Sequence, residues 1–481
     1  MGSPAIERVR DYVVAQLATL GLTPQLQTIS APDYFGGPGR TVDVTNVMAR
    51  IPGTGDGTAI LVIAHYDTVP STPGANDNSS AVAAILEAAR VLQSSPPLGN
   101  DVILLFTDGE EPAPRFGATA FAGGHPWFAD VAFAVNLEAI GSSGPDVVLE
   151  IAGPDAAVIN AFASLPSRAA FSFFTTTAEL IGGGSTDFDV IREADVPGLN
   201  LAWIRGSSIY HTQRDDLDHL NTAGMADHIS TVLGVVRHFG DAELPLPVDD
   251  GAVVFFSVPG GLLVRHAATW VPIGAAAIVV LLVLGLSMTI RHRPFSWRSM
   301  LRGTGLAVVG CVVAAIVGVV VWMAVSAVRS TLGVAEGYVW LLVLVGVAGA
   351  LWAIARHRAR LTGADIGEGI LLVWVALAVV TAVTVPTIGY LFVWPALAGT
   401  IALAIRSLVS GAFGWRLLSL VIVAVPTFFL VTPAIDAFFL FATPRPGNQD
   451  SQLPEMIVIS MALVYLVIGL TASAAERPAR S

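Results

Sequence analysis

Two histidines and five acids stand out by chemical type: His65, Asp67, Asp77, Glu110, Glu111, Glu138 and His211, with Tyr210 beside the last. Imidazole and carboxylate ligands together suit zinc, with other divalent metals as alternatives. The pattern is not local, so no single short stretch could hold an ion. Any one of these residues alone reads as an ordinary loop polar group. Their weight comes from number, order and position relative to the elements that would carry them.

Those elements can be read from the apolar runs. Residues 59–65, 101–107, 131–138 and 198–204 read as buried strands, and helices fit 78–93, 154–164 and 221–239. An amphipathic helix precedes them, with Ile6, Val9, Val13, Leu17 and Leu20 at helical spacing and Gly21 suited to its end. Strands alternating with helices predict an α/β fold, a mixed, mostly parallel sheet flanked by helices. Ligand sites in such sheets gather at the carboxyl ends of strands. The polar residues lie there: His65-Tyr66-Asp67 ends one strand, Glu110-Glu111 follows the next, Glu138 ends a third, and Tyr210-His211-Thr212 follows the fourth. Asp77 opens a helix. Ser185, Asp187 and Asp189 read as a loop beside a pocket. Asp215, Asp216 and Asp218 read as a solvated turn, with support of His211 by one of them as the alternative, and His219, His228 and His238 read as solvated helix-face residues.

The stretches Ala64-His65-Tyr66-Asp67-Thr68, Gly74-Ala75-Asn76-Asp77-Asn78-Ser79, Asp108-Gly109-Glu110-Glu111, Asn136-Leu137-Glu138-Ala139 and Tyr210-His211-Thr212 resemble a known family. It is the di-zinc aminopeptidases of peptidase clan MH, in particular the membrane branch with the endoplasmic-reticulum metallopeptidase and the vacuolar membrane proteases. The resemblance covers most of residues 1–240 and implies a zinc-exopeptidase fold acting on peptides. It implies two zinc ions, one held by His65, Asp77 and Glu138, the other by Asp77, Glu111 and His211, with Asp77 bridging. It implies Glu110 as general base, Asp67 as the partner that fixes the His65 tautomer, and Tyr210 as an oxyanion stabiliser or a packing neighbour of His211. Glu138 departs from many soluble members, which carry Asp there.

The whole chain sets the setting. It has 481 residues, 54% hydrophobic and only 13% charged, against roughly 25% charge in soluble domains. A net charge of −12 speaks against a nucleic-acid partner, and one cysteine excludes an internal disulfide framework. Residues 1–240 read as the peptidase-like domain, 241–266 as a linker, and 267–474 as an all-α polytopic transmembrane domain embedded in the lipid bilayer. About seven apolar stretches are spaced along 267–290, 304–328, 337–355, 369–385, 387–405, 416–435 and 455–474. Residues 475–481 form a tail. Arg291, Arg293, Arg298 and Arg302, then Arg356, Arg358 and Arg360, then Arg406 and Arg416, then Arg477 and Arg480 follow alternate stretches. Positive loops stay cytoplasmic, which puts the N-terminal domain outside the cytoplasm and the C-terminus inside. Met1-Gly2-Ser3-Pro4-Ala5 lacks a basic or apolar leader, so either the orientation is inverted or, the favoured expectation, an upstream membrane segment precedes it. The leading expectation is a membrane-anchored aminopeptidase. The alternatives are a metallo-carboxypeptidase or amidohydrolase, a glutaminyl-cyclase-like enzyme, and a transporter or receptor with a silent ectodomain. About 70 residues between Glu138 and His211 leave little room for the extra domain of the carboxypeptidase branch.

Overall fold

The computed structural model describes residues 1–111, 114–165, 169–181, 183–247, 251–259, 261–292, 295–332, 346, 348–349, 351–353, 363–408, 413–442 and 455–475. The described residues form two compact units, Met1–Val264 and those from Arg265 onward.

The first unit opens with α1 (Pro4–Thr19). Ser3 caps it by accepting a hydrogen bond from the Ile6 amide, Pro4 needs no partner for a missing N–H, and Gly21 takes φ +77° just past the end. Its centre is an eight-stranded sheet. The strands are β1 (Gln25–Pro32), β2 (Thr41–Ile51), β3 (Ala59–His65), β4 (Asp101–Thr107), β5 (Val131–Ala139), β6 (Val147–Ala152), β7 (Ala169–Ala170) and β8 (Gly198–Trp203). Their order is β1-β2-β4-β3-β5-β8-β6-β7. The four central strands β4, β3, β5 and β8 run parallel, and β2 and β6 flank them antiparallel.

The central strands are buried on both faces, as their near-continuous apolar runs require. Ile60, Val62, Val102, Leu104 and Phe133 meet Val13 and Leu17 of α1, and residues of α2 (Ser79–Gln93) and α7 (Thr222–Gly240). Leu61, Ile63, Ile103 and Leu105 on the other face meet Phe121 of α3 (Phe116–Gly124) and Phe188 and Ile191 of α6 (Asp187–Glu193). Two further helices, α4 (Asp155–Phe162) and α5 (Ser172–Ile181), lie between β6 and α6 in the chain.

The stretch expected to be a linker differs. Residues Val253–Val258 and Leu262–Ala267 pair as strands β9 and β10. Phe255 is buried in the core of the sheet domain, and Phe256 bridges to Phe171. A short apolar run too brief to span a bilayer finds its burial in protein instead.

In the second unit, five described helices are long and apolar enough to cross a membrane: Trp270–His292, Trp297–Val320, Ile366–Thr384, Pro386–Leu408 and Gly414–Ile435. The fourth and fifth expected spans are separate helices, broken at Val385 before Pro386. The seventh stretch corresponds to a helix at Glu455–Ala475. The third, 337–355, falls mostly outside the described residues, and residues 476–481 of the tail lie outside them. Small residues bring helices close here: a Cβ on Gly369 would overlap the backbone of Gly303 and Thr304.

Candidate metal centre

The parallel strands end together, and the chemistry-bearing residues leave from those ends. His65 is the last residue of β3, and Glu138 the penultimate residue of β5. After β4, Gly109 adopts φ +75°, a left-handed turn that glycine allows without strain. That turn brings the amides of Glu110 and Glu111 over Asp67, whose two carboxylate oxygens accept them at 3.2 and 3.1 Å. The loop after β8 delivers Tyr210 and His211. His211 sits at φ +56°, unusual for a residue with a side chain.

Asp77 lies at the middle of the cluster. Its Oδ1 is 3.3 Å from His65 Nε2, and its Oδ2 is 3.1 Å from His211 Nε2. His65 Nε2 is also 3.5 Å from Glu138 Oε2, and His211 Nε2 is 2.8 Å from Glu111 Oε1. Single ligand atoms of His65, Asp77 and Glu111 all lie within 4.8 Å of one another. All five side chains are buried. Asp77 precedes α2, whose N-terminal end favours a negative charge.

Asp67 behaves differently from its expected part, whereas Tyr210 takes the packing position that was one of its two expected readings. The His65 Nδ1 partner is the backbone oxygen of Asp67, at 3.0 Å, whereas the carboxylate Oδ1 is 3.7 Å away. A carbonyl acceptor still assigns the proton to Nδ1 and leaves Nε2 facing the cluster. The Asp67 carboxylate is used instead to hold the Glu110–Glu111 turn. Tyr210 stacks on His211, with ring centroids 3.7 Å apart and planes at 18°.

The electrostatics call for a cation. Asp67, Asp77, Glu110, Glu111, Glu138 and Asp187 are buried carboxylates, and the imidazoles of His65 and His211 face them. Burial alone would lower His65, but Glu110, Asp77 and Glu138 carry it well above its usual value. His211 likewise rises to about 9 against its burial, through Asp77 and Glu111. Burial pushes Glu111 up to about 7, helped by Asp77. It pushes Glu110 well above the usual carboxylate range, with Glu111, Glu138 and Asp187 adding to it. Asp77, between two imidazoles, is held well below that range despite its burial. A bound cation offsets this excess of acids, and the nitrogen and oxygen donors present suit zinc.

Several residues had been placed wrongly by sequence. Asp215 is fully buried, not part of a solvated turn. Its Oδ1 accepts from the Asn76 amide and side chain, both at 2.7 Å, and its Oδ2 from the Asp77 amide at 3.1 Å. Asp215 therefore holds the loop that presents Asp77. Asp187 is buried too and accepts from Thr107 Oγ1 at 2.5 Å. His228 is not solvated: it is fully buried and 2.6 Å from Asp146 Oδ1. Its place on a stripe with Val232, Val235, Val236 and Phe239 was the available signal. His219 is half-buried against Asp216, at 2.6 Å.

Residues 46–236 match the model of a family described as peptidase family M28. Among curated proteins, "Endoplasmic reticulum metallopeptidase 1" of Mus musculus is 30% identical over 290 residues, 57% of this chain and 32% of that protein. "Vacuolar membrane protease" of Clavispora lusitaniae is 32% identical over 204 residues, 42% of this chain and 20% of that protein. The chain thus spans about a third or less of the length of these relatives. Among solved structures, a zinc aminopeptidase from Bacillus subtilis is 22% identical, covering 43% of this chain and 53% of that one, with a TM-score of 0.34. A glutaminyl cyclase from Fimbriiglobus ruber is 20% identical, covering 49% and 88%, with a TM-score of 0.40.

Proposed function

With residues 46–236 a peptidase family M28 domain, we propose that the chain is a membrane-anchored, zinc-dependent aminopeptidase that removes N-terminal residues from peptides. The observation that carries this reading is Asp77, whose two oxygens face two different imidazoles, each of which also faces a glutamate. That is the arrangement of a carboxylate shared between two ion sites. His65, Asp77 and Glu138 would hold one zinc, and Asp77, Glu111 and His211 the other.

Bound zinc lowers the pKa of water toward ~7 and polarises a substrate carbonyl. The protein's own residues do the rest. Glu110 follows the same turn as Glu111; its charge acts on His65, but the direct imidazole pairs are made by Asp77, Glu111 and Glu138. Its carboxylate takes a proton from the attacking water and delivers it to the leaving amine. Asp67 keeps Glu110 and Glu111 in place through their amides. The carbonyl of Asp67 orients His65, and the stacked Tyr210 ring restricts His211 beside the reacting carbonyl.

The test is hydrolysis of a panel of aminoacyl-arylamides by the purified full chain, with chelator, with zinc or another divalent metal restored, and with Glu110→Gln. We expect cleavage that chelator removes and zinc restores. Glu110→Gln should lower kcat by about 10²–10⁴-fold while two zinc ions stay bound. An inactive metal-loaded protein would overturn the aminopeptidase reading in favour of a carboxypeptidase, a cyclase or a silent ectodomain.

A further inference from the structure

A line of buried polar side chains runs through the sheet to Glu138. Strands β5, β8 and β6 are neighbours, and Asn136, Asn200 and Glu150 are direct cross-strand partners. None is more than 2% exposed. The last pairing depends on an irregularity: the β6 register shifts between Val148 and Glu150, so that Leu149 is the extra residue and Glu150 falls opposite Asn200. Bulges of this kind re-aim side chains near functional sites.

The line has a direction. The Gly184 amide donates to Glu150 Oε1 at 3.1 Å. Asn200 Nδ2 donates to Glu150 Oε2 at 2.7 Å and to Thr186 Oγ1 at 3.1 Å. Asn136 Nδ2 donates to Asn200 Oδ1 at 3.1 Å and to Glu138 Oε1 at 3.0 Å. Glu138 then has Oε2 turned to His65 Nε2. An ionised carboxylate only accepts, whereas each amide has one accepting and one donating side. With an acceptor at Glu150, both amides point their donors so that the last one meets Glu138. With a donor facing Asn200 instead, Asn200 turns over, Asn136 follows, and its oxygen confronts the Glu138 carboxylate.

We propose that Glu150 is a positioning residue for the metal centre: through Asn200 and Asn136 it fixes which oxygen of Glu138 is offered to the metal. Through Gly184 and Thr186 the same residues tie that choice to the loop at 183–186. The inference rests on the reading of Glu138 as a ligand. An acid is an expensive way to fill a sheet interior, and burial with Asp189 nearby pushes Glu150 up to about 7. Both of its oxygens face N–H donors, from Gly184 and Asn200, and so act as acceptors.

The experiment measures zinc affinity of the full chain at pH 8 by competition with a fluorescent chelator. Glu150→Gln keeps the shape, but the fixed Gly184 donor claims its oxygen and leaves its NH₂ facing Asn200. We expect about 10–100-fold weaker zinc binding, the range for lost outer partners of a ligand. The double variant Glu150→Gln with Asn200→Asp moves the acceptor one step along the line and again gives each donor an acceptor. It should regain most of the affinity, and should fold even where the single variant does not. Unchanged affinity in Glu150→Gln, or a double variant that does not regain it, would overturn the proposal. Glu138→Gln separates the two levels. If it binds zinc as the unaltered protein does, the reading of Glu138 as a ligand fails. If it loses affinity while Glu150→Gln does not, only the role of Glu150 fails.

Discussion

Asp215 stands 138 residues along the chain from Asp77, yet its carboxylate takes three hydrogen bonds from Asn76 and Asp77. Burial raises it above the usual carboxylate range, and those three donors draw it back. Asp215→Asn keeps the volume and sets an NH₂ against at least one of those donors. A buried donor without an acceptor costs about 1–3 kcal/mol, and a displaced outer partner costs about 10–100-fold in metal affinity. Thermal unfolding and a zinc titration of the variant measure the two effects. A destabilised variant that binds zinc as tightly as before would limit Asp215 to supporting the turn. The sequence allowed one of Asp215, Asp216 and Asp218 to support His211, but not which one, nor that it would hold the Asn76–Asp77 loop instead, because a run of acids reads as solvated surface. By contrast, His65, Asp77 and His211 were visible because each follows or precedes an element whose apolar run announces where it stops.

At the scale of elements, what was legible was what is buried on both faces. The expected strand at 59–65 and the helix at 78–93 match β3 and α2 to within a residue, because continuous apolar runs and an i, i+4, i+7 stripe leave few options. Strands β1 and β2 escaped notice because their burial alternates or covers only part of their length, so Thr, Asp and Asn interrupt the pattern. The hairpin of β9 and β10 escaped for another reason: Pro259 and its glycine neighbours mark a turn, and that turn resembled a linker. Phe255 decides the matter energetically, since it is fully buried within the core of the sheet domain. Phe255→Ala should cost about 3–5 kcal/mol, read as a lower unfolding midpoint and faster amide exchange in α5. A chain ending at residue 240 should lose at least as much. A variant as stable as the original would return residues 241–266 to the status of a linker.

Across the whole molecule, the distribution of arginine bears on which side of the membrane residues 1–264 face. The chain has no lysine, so its positive charge outside histidine is arginine. Arg291, Arg298 and Arg302 cluster where the helix Trp270–His292 ends and the next begins. Only Arg265 lies shortly before the first of these helices. Charge within ~15–20 residues of a span end sets orientation, and on that ground we propose that the segment around residue 296 lies in the cytoplasm and residues 1–264 on the opposite side. Cys311 is the only cysteine, which makes the arrangement directly measurable. In a Cys311→Ser background, Ser94→Cys places a thiol on the exposed surface of the sheet domain, and Ser296→Cys one between the first two spans. In sealed vesicles with their cytoplasmic face outward, a membrane-impermeant maleimide should label position 296 at once and position 94 only after permeabilisation. The reverse order would place residues 1–264 in the cytoplasm.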